Sequence, residues 1–523
     1  MLFNSYFFIC IFLPITLIGF FLIGHRGYHR VAVGWLVGAS LLFYGWWNPA
    51  YLGLILGSIC FNFAAGIILG TQNSIFSKKF VLIFGIAVNL GALAYFKYAN
   101  FFVDNLNAAI GSDFHLKTII LPLAISFFTF QQISYLVDAF KGETREYNFL
   151  HYSLFVTFFP QLIAGPIVHH KEMLPQFLKD GIYRLQHENI AIGISIFALG
   201  LFKKVGLADG IAQYATPVFQ AAEAGVSVSF FEAWGGALAY TFQLYFDFSG
   251  YSDMAMGLAW MFGIQLPLNF NSPYKANNII EFWGRWHMTL SRFFRDYLYI
   301  PLGGNKKGKV RQFFNLMITM LLAGLWHGAG WTFVLWGALH GVYLMVNHSW
   351  RSLRQGLAYG RRESSLIGRV TARILTFTAI VVGWVFFRAE TFSGAMQILM
   401  GMSGQHDVVL RTSYLGYLNR IGNLGDYLAS QGVVFGTPAL FGGLHQMLFL
   451  LFLGFVVWAA PNTQQIMFSN TPAFERYSAE LKEWHHGLIK WKPSTRHAIF
   501  TAGILFWSIW NLSKQSEFLY FNF

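Results

Sequence analysis

Residues 313–347 read FFNLMITMLLAGLWHGAGWTFVLWGALHGVYLMVN and contain no Asp, Glu, Lys or Arg. The stretch is two apolar helical runs, 313–326 and 330–347, joined at glycines 324, 328 and 330 with His327 among them. A helix needs about 20 mostly apolar residues to cross a bilayer. Runs of that kind recur near 7–24, 31–47, 50–70, 80–96, 118–139, 150–168, 189–208, 228–247, 250–266, 374–393, 442–460 and 497–512. The stretches 150–168 and 250–266 fit a span least well. Short or Gly/Pro-broken runs can be re-entrant or buried in protein. The pattern predicts an all-α polytopic membrane protein with about 11–14 membrane-embedded helices, re-entrant ones included.

Composition agrees. Of 523 residues, 55% are hydrophobic and 11% charged, and 57 are Phe, whereas a soluble domain carries roughly a quarter charged residues. Such hydrophobicity excludes a disordered chain, and two cysteines, Cys10 and Cys60, cannot form a disulfide framework for this length. The 36 Lys and Arg outnumber the 23 Asp and Glu, giving a net charge of +13. In a membrane protein this reflects basic cytoplasmic loops. No aromatic-interleaved basic domain stands apart, so nucleic acid is not an expected partner. Residues 1–24 lack a basic leader ahead of the apolar run, which argues against a cleavable signal. With no internal repeat and no low-complexity linker, 1–523 reads as one domain.

Basic loops set the orientation. Arg26 and Arg30 follow the first run, Lys78 and Lys79 the third, and the turn at 46–51 between them is uncharged. The first and third connections are therefore expected in the cytoplasm and the N-terminus outside. Arg285, Arg292, Arg295, Lys306, Lys307, Lys309 and Arg311 place 284–312 inside, as Arg351, Arg354, Arg361, Arg362, Arg369 and Arg373 do for the next loop. The charge-balanced 394–441 segment is expected outside, and the basic 461–496 segment inside. His327 then lies roughly 20 Å along its helix from the cytoplasm.

An ionisable group inside a membrane suggests function with a partner. His327 is the foremost candidate; alternatively, a neutral imidazole bonds to neighbouring backbone or Trp groups. His287, in Trp286-His-Met-Thr289, sits on an Arg-bearing segment that is either re-entrant or interfacial. There it also fits an interfacial amphipathic side chain. His340 reads as a packing and hydrogen-bonding residue, and His25, His29, His169, His170, His485 and His486 as loop residues. Asp247 and Asp253 lie in the apolar 243–253 stretch, where each is expected to be protonated or paired with an Arg or a Tyr hydroxyl. Their expected role is to hold helices in register, with ion coupling as the alternative. The polar stripe 126–135 with Asp138 could line a tunnel or join helices.

Walker, GxSxG and HExxH patterns are absent, as is the His-x4-Asp arrangement of lysophospholipid acyltransferases. Too few carboxylates accompany His287 and His327 to predict a metal site. A polytopic transporter or flippase remains an alternative, although it usually shows a repeat between halves. A lipid-linked glycosyltransferase would want a carboxylate in an early external loop, and 46–51 has none.

Several motifs together carry a family resemblance: Pro160-Gln-Leu-Ile-Ala-Gly-Pro166, Phe246-Asp-Phe-Ser-Gly-Tyr-Ser-Asp253, Asn271-Ser-Pro-Tyr274, Trp286-His287, Phe294-Arg-Asp-Tyr-Leu-Tyr-Ile-Pro-Leu-Gly-Gly304 and Gly324-Leu-Trp-His-Gly328. The chain resembles the membrane-bound O-acyltransferase (MBOAT) family, within it the alginate O-acetyltransferase membrane-subunit branch and its cell-wall-acetylating relatives. The resemblance extends from residue 1 to about 460 and weakens over 461–523. It implies helices around a central tunnel, with His327 at the family's essential histidine and His287 at its upstream partner. It also implies movement of an acetyl group from a cytoplasmic donor, acetyl-CoA or an acyl-carrier protein, toward an extracytoplasmic polysaccharide or a periplasmic SGNH-type partner enzyme. The setting would be the bacterial inner membrane, with no bound cofactor.

Acyl transfer from a thioester to a hydroxyl needs a base for the hydroxyl proton and a donor for the developing oxyanion. A buried imidazole, kept uncharged by desolvation, suits the base. His327 is the expected base, and His287 the group that positions the donor or polarises its carbonyl. Trp326, Arg285, Asp247 and Asp253 are expected to support the tunnel. Lys306, Lys307, Lys309 and Arg311 would attract an anionic donor, or they simply obey the positive-inside bias. The expectation depends on His327 facing a passage open to both compartments.

Overall fold

The computed structural model describes residues 1–71, 77–117, 119–146, 148–356, 365–441, 443–467 and 490–512. Five helical stretches among them are long and apolar enough to cross a bilayer: Phe8–His25, Tyr51–Gly70, Lys78–Ile110, His187–Glu223 and Leu366–Arg388. Two shorter apolar helices, Phe392–Met402 and Leu444–Ala459, accompany them. Arg361, Arg362, His485 and His486, and most of the basic 461–496 segment, lie outside the described residues.

Local chemistry starts and stops these helices. Asn148 begins Phe149–Thr157 by accepting from the backbone N–H groups of Leu150 and His151. Ser229 and Glu232 form a reciprocal cap on Phe230–Met261. Gly111, with φ 66°, ends Lys78–Ile110 in the left-handed conformation that glycine adopts without strain.

The core is the helix Phe230–Met261, buried over most of its length. The apolar runs 228–247 and 250–266 are thus one element, not two. Ser249-Gly250 does not break it, because Gly250 is where a neighbour approaches. That neighbour is His187–Phe202. A Cβ on Gly257 would lie 2.6 Å from Gly193 O, and one on Gly200 would lie 2.6 Å from Gly250 O. Small residues at both ends of the crossing bring the backbones together.

Buried ion pairs fix the same interface. Lys203 Nζ lies 2.6 Å from Asp253 Oδ2, and Lys204 Nζ lies 2.6 Å from Asp247 Oδ1 and 2.8 Å from Asp209 Oδ1. The expected Arg or Tyr partners of Asp247 and Asp253 are therefore replaced by two lysines. These lie on Lys203–Ala208, a π-helical continuation of the neighbouring helix. Because desolvating a carboxylate costs several kcal/mol, a cation as close as this one is needed.

Two further elements depart from the sequence reading. The run 150–168 is two short buried helices, Phe149–Thr157 and Phe159–Leu162, followed by irregular backbone. The 394–441 segment contains a small parallel strand pair, Val408–Arg411 and Val433–Gly436, a minor exception among the otherwise helical elements of the described residues. Both strands are Val-rich, which favours extended backbone.

Candidate active site

Gly308–His327 and Trp331–Gly356 form the hairpin read from 313–347. Its helices touch at glycines: a Cβ on Gly324 would collide with Phe333 O, and one on Gly337 with Met320 O. This contact sets His327 at the last turn of the first helix, where backbone carbonyls have no intrahelical partner. Lys97, from the middle of Lys78–Ile110, donates to the carbonyls of Trp326 and His327, the latter at 3.1 Å. Tyr98 OH donates to Leu325 O at 2.8 Å. A cation at a helix C-terminus is also favoured by the helix dipole.

The His327 ring packs against Trp326, Trp336 and Phe387, with centroids 4.9, 5.2 and 5.1 Å away. Its Nδ1 has no hydrogen-bond partner among the described residues, so the alternative in which backbone or Trp groups satisfy both nitrogens does not hold. Trp326 is held in turn by Phe130 and Phe127.

His287 arrives from a different element, at the start of the short helix Met288–Phe294. It is 1% exposed, which rules out the interfacial placement. The segment enters the protein between Glu281–Arg285 and Arg292–Glu172 ion pairs, at 2.9 and 2.7 Å. His287 Nδ1 lies 3.1 Å from Asn269 Oδ1, which also accepts from Thr289 Oγ1 at 2.9 Å. The Thr289 backbone N–H is a third donor to this oxygen at 3.4 Å, and an amide oxygen that only accepts places the His287 proton on Nδ1 and leaves Nε2 with its lone pair. Thr289 Oγ1 accepts from Ile167 N at 3.1 Å, tying the Gly165-Pro166 turn to the same network.

The His287 and His327 rings are 6.4 Å apart, centroid to centroid. The backbone around them is strained. His287 has φ 42°, Ala124 φ 61° and Ser272 φ 47°; left-handed non-glycine residues cost roughly 1–3 kcal/mol each and cluster at functional sites. Ser272 and Asn271 are clasped by Asn462, at 3.0 and 3.1 Å, and Arg285 donates to Asn271 O at 3.4 Å.

A cavity of about 270 Å³ reaches His327. Trp47 lies at one margin, and residues 120–127, Ile163, Ala164, Trp326 and Lys97 line the rest. None of its lining comes from 284–312, so this cavity reaches His327 from the Trp47 side only, and the expected passage to both compartments is not seen in it. Ser126 of the polar stripe lines it, whereas Gln132 joins helices by donating to Ser58 Oγ at 2.8 Å. The stripe therefore does both things that its sequence suggested.

The sequence reading passed over Lys97. Its signal was a lone cation in the apolar 80–103 stretch. His169 and His170, read as loop residues, are buried instead. His169 Nδ1 meets Tyr297 OH at 3.0 Å, Tyr297 OH donates to Asp138 Oδ1 at 2.8 Å, and His170 Nε2 lies 3.5 Å from Glu146. His340 packs among Trp283, Trp336 and Phe282, yet neither ring nitrogen has a hydrogen-bond partner among the described residues, so only the packing half of its expected role is present. Lys306, Lys307, Lys309 and Arg311 are exposed at the opposite end of the His327 helix. Among the described residues no group of three His, Cys, Asp or Glu is arranged to hold a metal ion.

The comparisons with known proteins point one way. Residues 138–386 match the membrane-bound O-acyltransferase family, MBOAT. The chain is 40% identical to the peptidoglycan O-acetyltransferase of Helicobacter pylori, covering 100% of this chain and 98% of that protein. It is also 40% identical to the probable alginate O-acetylase AlgI of Pseudomonas aeruginosa, over 84% of this chain and 81% of the relative. The teichoic acid D-alanyltransferase of Streptococcus thermophilus is 27% identical over 51% of this chain and 68% of that protein.

Proposed function

The chain belongs to the membrane-bound O-acyltransferase family, and from that premise we propose that it moves an acetyl group through the protein for O-acetylation of an extracytoplasmic polysaccharide. It is a membrane acyltransferase; the transporter reading is not favoured. The relatives' named substrates support a polysaccharide acceptor, peptidoglycan-like or alginate-like. The bacterial inner membrane is the proposed setting, with an SGNH-type enzyme on the far side as partner.

In this reading a cytoplasmic thioester, acetyl-CoA or an acetylated carrier protein, docks at Lys306, Lys307, Lys309 and Arg311. His287 positions the acyl carbonyl. His327 takes the proton of the acceptor hydroxyl as its oxygen attacks the acyl carbon. The C–S bond then breaks, and His327 passes the proton it took to the leaving thiolate as the ester is released. The observation that carries this reading is the pair of imidazoles 6.4 Å apart, brought in by separate elements, with one of them lining a cavity. Asp247, Asp253, Trp326 and Arg285 support the site without reacting.

The test is transfer of radiolabelled acetyl in membranes. General-base catalysis contributes about 10²–10⁴-fold, so His327→Ala, inserted at normal levels, is expected to lose acetylation by that factor; a wild-type rate would overturn the assignment. His287→Ala is expected to lose activity as well, and unchanged turnover would remove it from the mechanism.

A further inference from the structure

The cavity beside His327 has an uneven charge. Lys97 is the charged residue of its lining; the other polar side chains there are Ser126, Trp326, Trp47 and His327 itself. No ion pair to Lys97 occurs among the described residues. The next acid on its helix, Asp104, is exposed and two turns away, roughly 10 Å along the axis. The carbonyls of Trp326 and His327 occupy two of the three ammonium hydrogens. They contribute dipoles, not a counter-charge. Lys203 and Lys204, by contrast, each meet a carboxylate at 2.6 Å. Lys97 is left with a largely apolar cavity in front of it, and a cleft with low-dielectric walls focuses such a charge on whatever enters.

We propose that this cavity binds the acyl acceptor, and that Lys97 takes an anionic group of that acceptor while a neighbouring hydroxyl meets His327. The proposal rests on the acyltransferase reading of His327 and deepens it by assigning the acceptor a chemical class: a hydroxyl-bearing group that carries a carboxylate or phosphate. Size adds a second constraint. A space of about 270 Å³ is at the low end for a small-molecule site. The acceptor therefore enters by an end or a side group through the mouth at Trp47, with the bulk of a polymer outside.

Competition with simple sugars tests this. Acetyl transfer in membranes of the full chain is measured with glucuronate against its methyl ester, and with glucose 6-phosphate against glucose. At least one anion is expected to inhibit at ten-fold lower concentration than its neutral counterpart, and the pair that does so identifies the group. Lys97→Arg is expected to keep that preference, and Lys97→Met to reduce it below two-fold. Equal effects within both pairs in the wild-type protein, no inhibition included, would overturn the proposal, as would a preference that survives Lys97→Met. The wild-type comparison decides even if the Met variant fails to fold. Activity retained in His327→Ala would remove the base assignment while leaving the charge preference as a separate result.

Discussion

Asn269 is fully buried, and its amide oxygen is shared by His287 Nδ1 and the Thr289 hydroxyl. Its amide nitrogen donates to Ser252 Oγ at 3.3 Å on the core helix. The imidazole is thereby fixed in one tautomer and one orientation. Asn269→Ala would remove the acceptor of three buried donors, His287 Nδ1, Thr289 N and Thr289 Oγ1, at about 1–3 kcal/mol for an unsatisfied group, and let the ring turn. Transfer is expected to fall about 10–100-fold, the scale of a small misplacement of a reacting group, together with a lowered melting temperature in detergent. A variant that melts lower but transfers at full rate would show that the His287 orientation does not matter. His287 and His327 were legible in the sequence because a histidine among tryptophans and glycines in an apolar run is conspicuous. Asn269 was not, since an amide in an irregular segment has no pattern to betray its partners. Lys97 was legible in principle as a lone cation within a span.

At the scale of elements, packing of Phe230–Met261 against His187–Phe202 depends on backbone approach. Gly257→Val would put a branched side chain against Gly193 O and Phe197 N, both 2.6 Å from the first added carbon. Overpacking of a core costs roughly 1–3 kcal/mol, and here the obstacle is backbone, which cannot rotate away. The variant is expected to shift the thermal transition in detergent downward and to separate Lys203 and Lys204 from Asp253 and Asp247. Thermal stability equal to wild type would show that the helices can part without loss. The hairpin of 313–347 was readable from its apolar runs and central glycines. The splitting of 228–266 into two runs was misleading because glycine and serine look like a break in sequence, whereas in the structure they are the contact.

Across the whole molecule, the basic segment at 306–311 lies at one end of the His327 helix and the Trp47 mouth at the other. Helix Gly308–His327 has 20 residues, so the two ends are roughly 30 Å apart, about the thickness of the hydrocarbon core. Donor and acceptor would thus approach from opposite faces. If the exposed lysines attract an anionic donor, reversing Lys306, Lys307 and Lys309 to Glu raises the Michaelis constant for that donor several-fold, most at low ionic strength. The acceptor dependence should stay as it was. A donor constant unchanged at low salt would reduce these residues to the positive-inside bias.

The sequence alone determined that this is a helical membrane protein and which family it belongs to, and it singled out His287 and His327 as the candidate site. Those properties follow from apolar runs, rare intramembrane charges and short motifs, and each is local along the chain. Only the tertiary structure decided that His287 lies beside His327, that lysines and not arginines neutralise Asp247 and Asp253, and that Lys97 closes the end of the His327 helix beside an open cavity. Residues 97, 269, 287 and 327 come from separate segments. Their convergence depends on how closely helices can approach at glycines and on where a buried charge finds its partner, and both are set by packing in three dimensions.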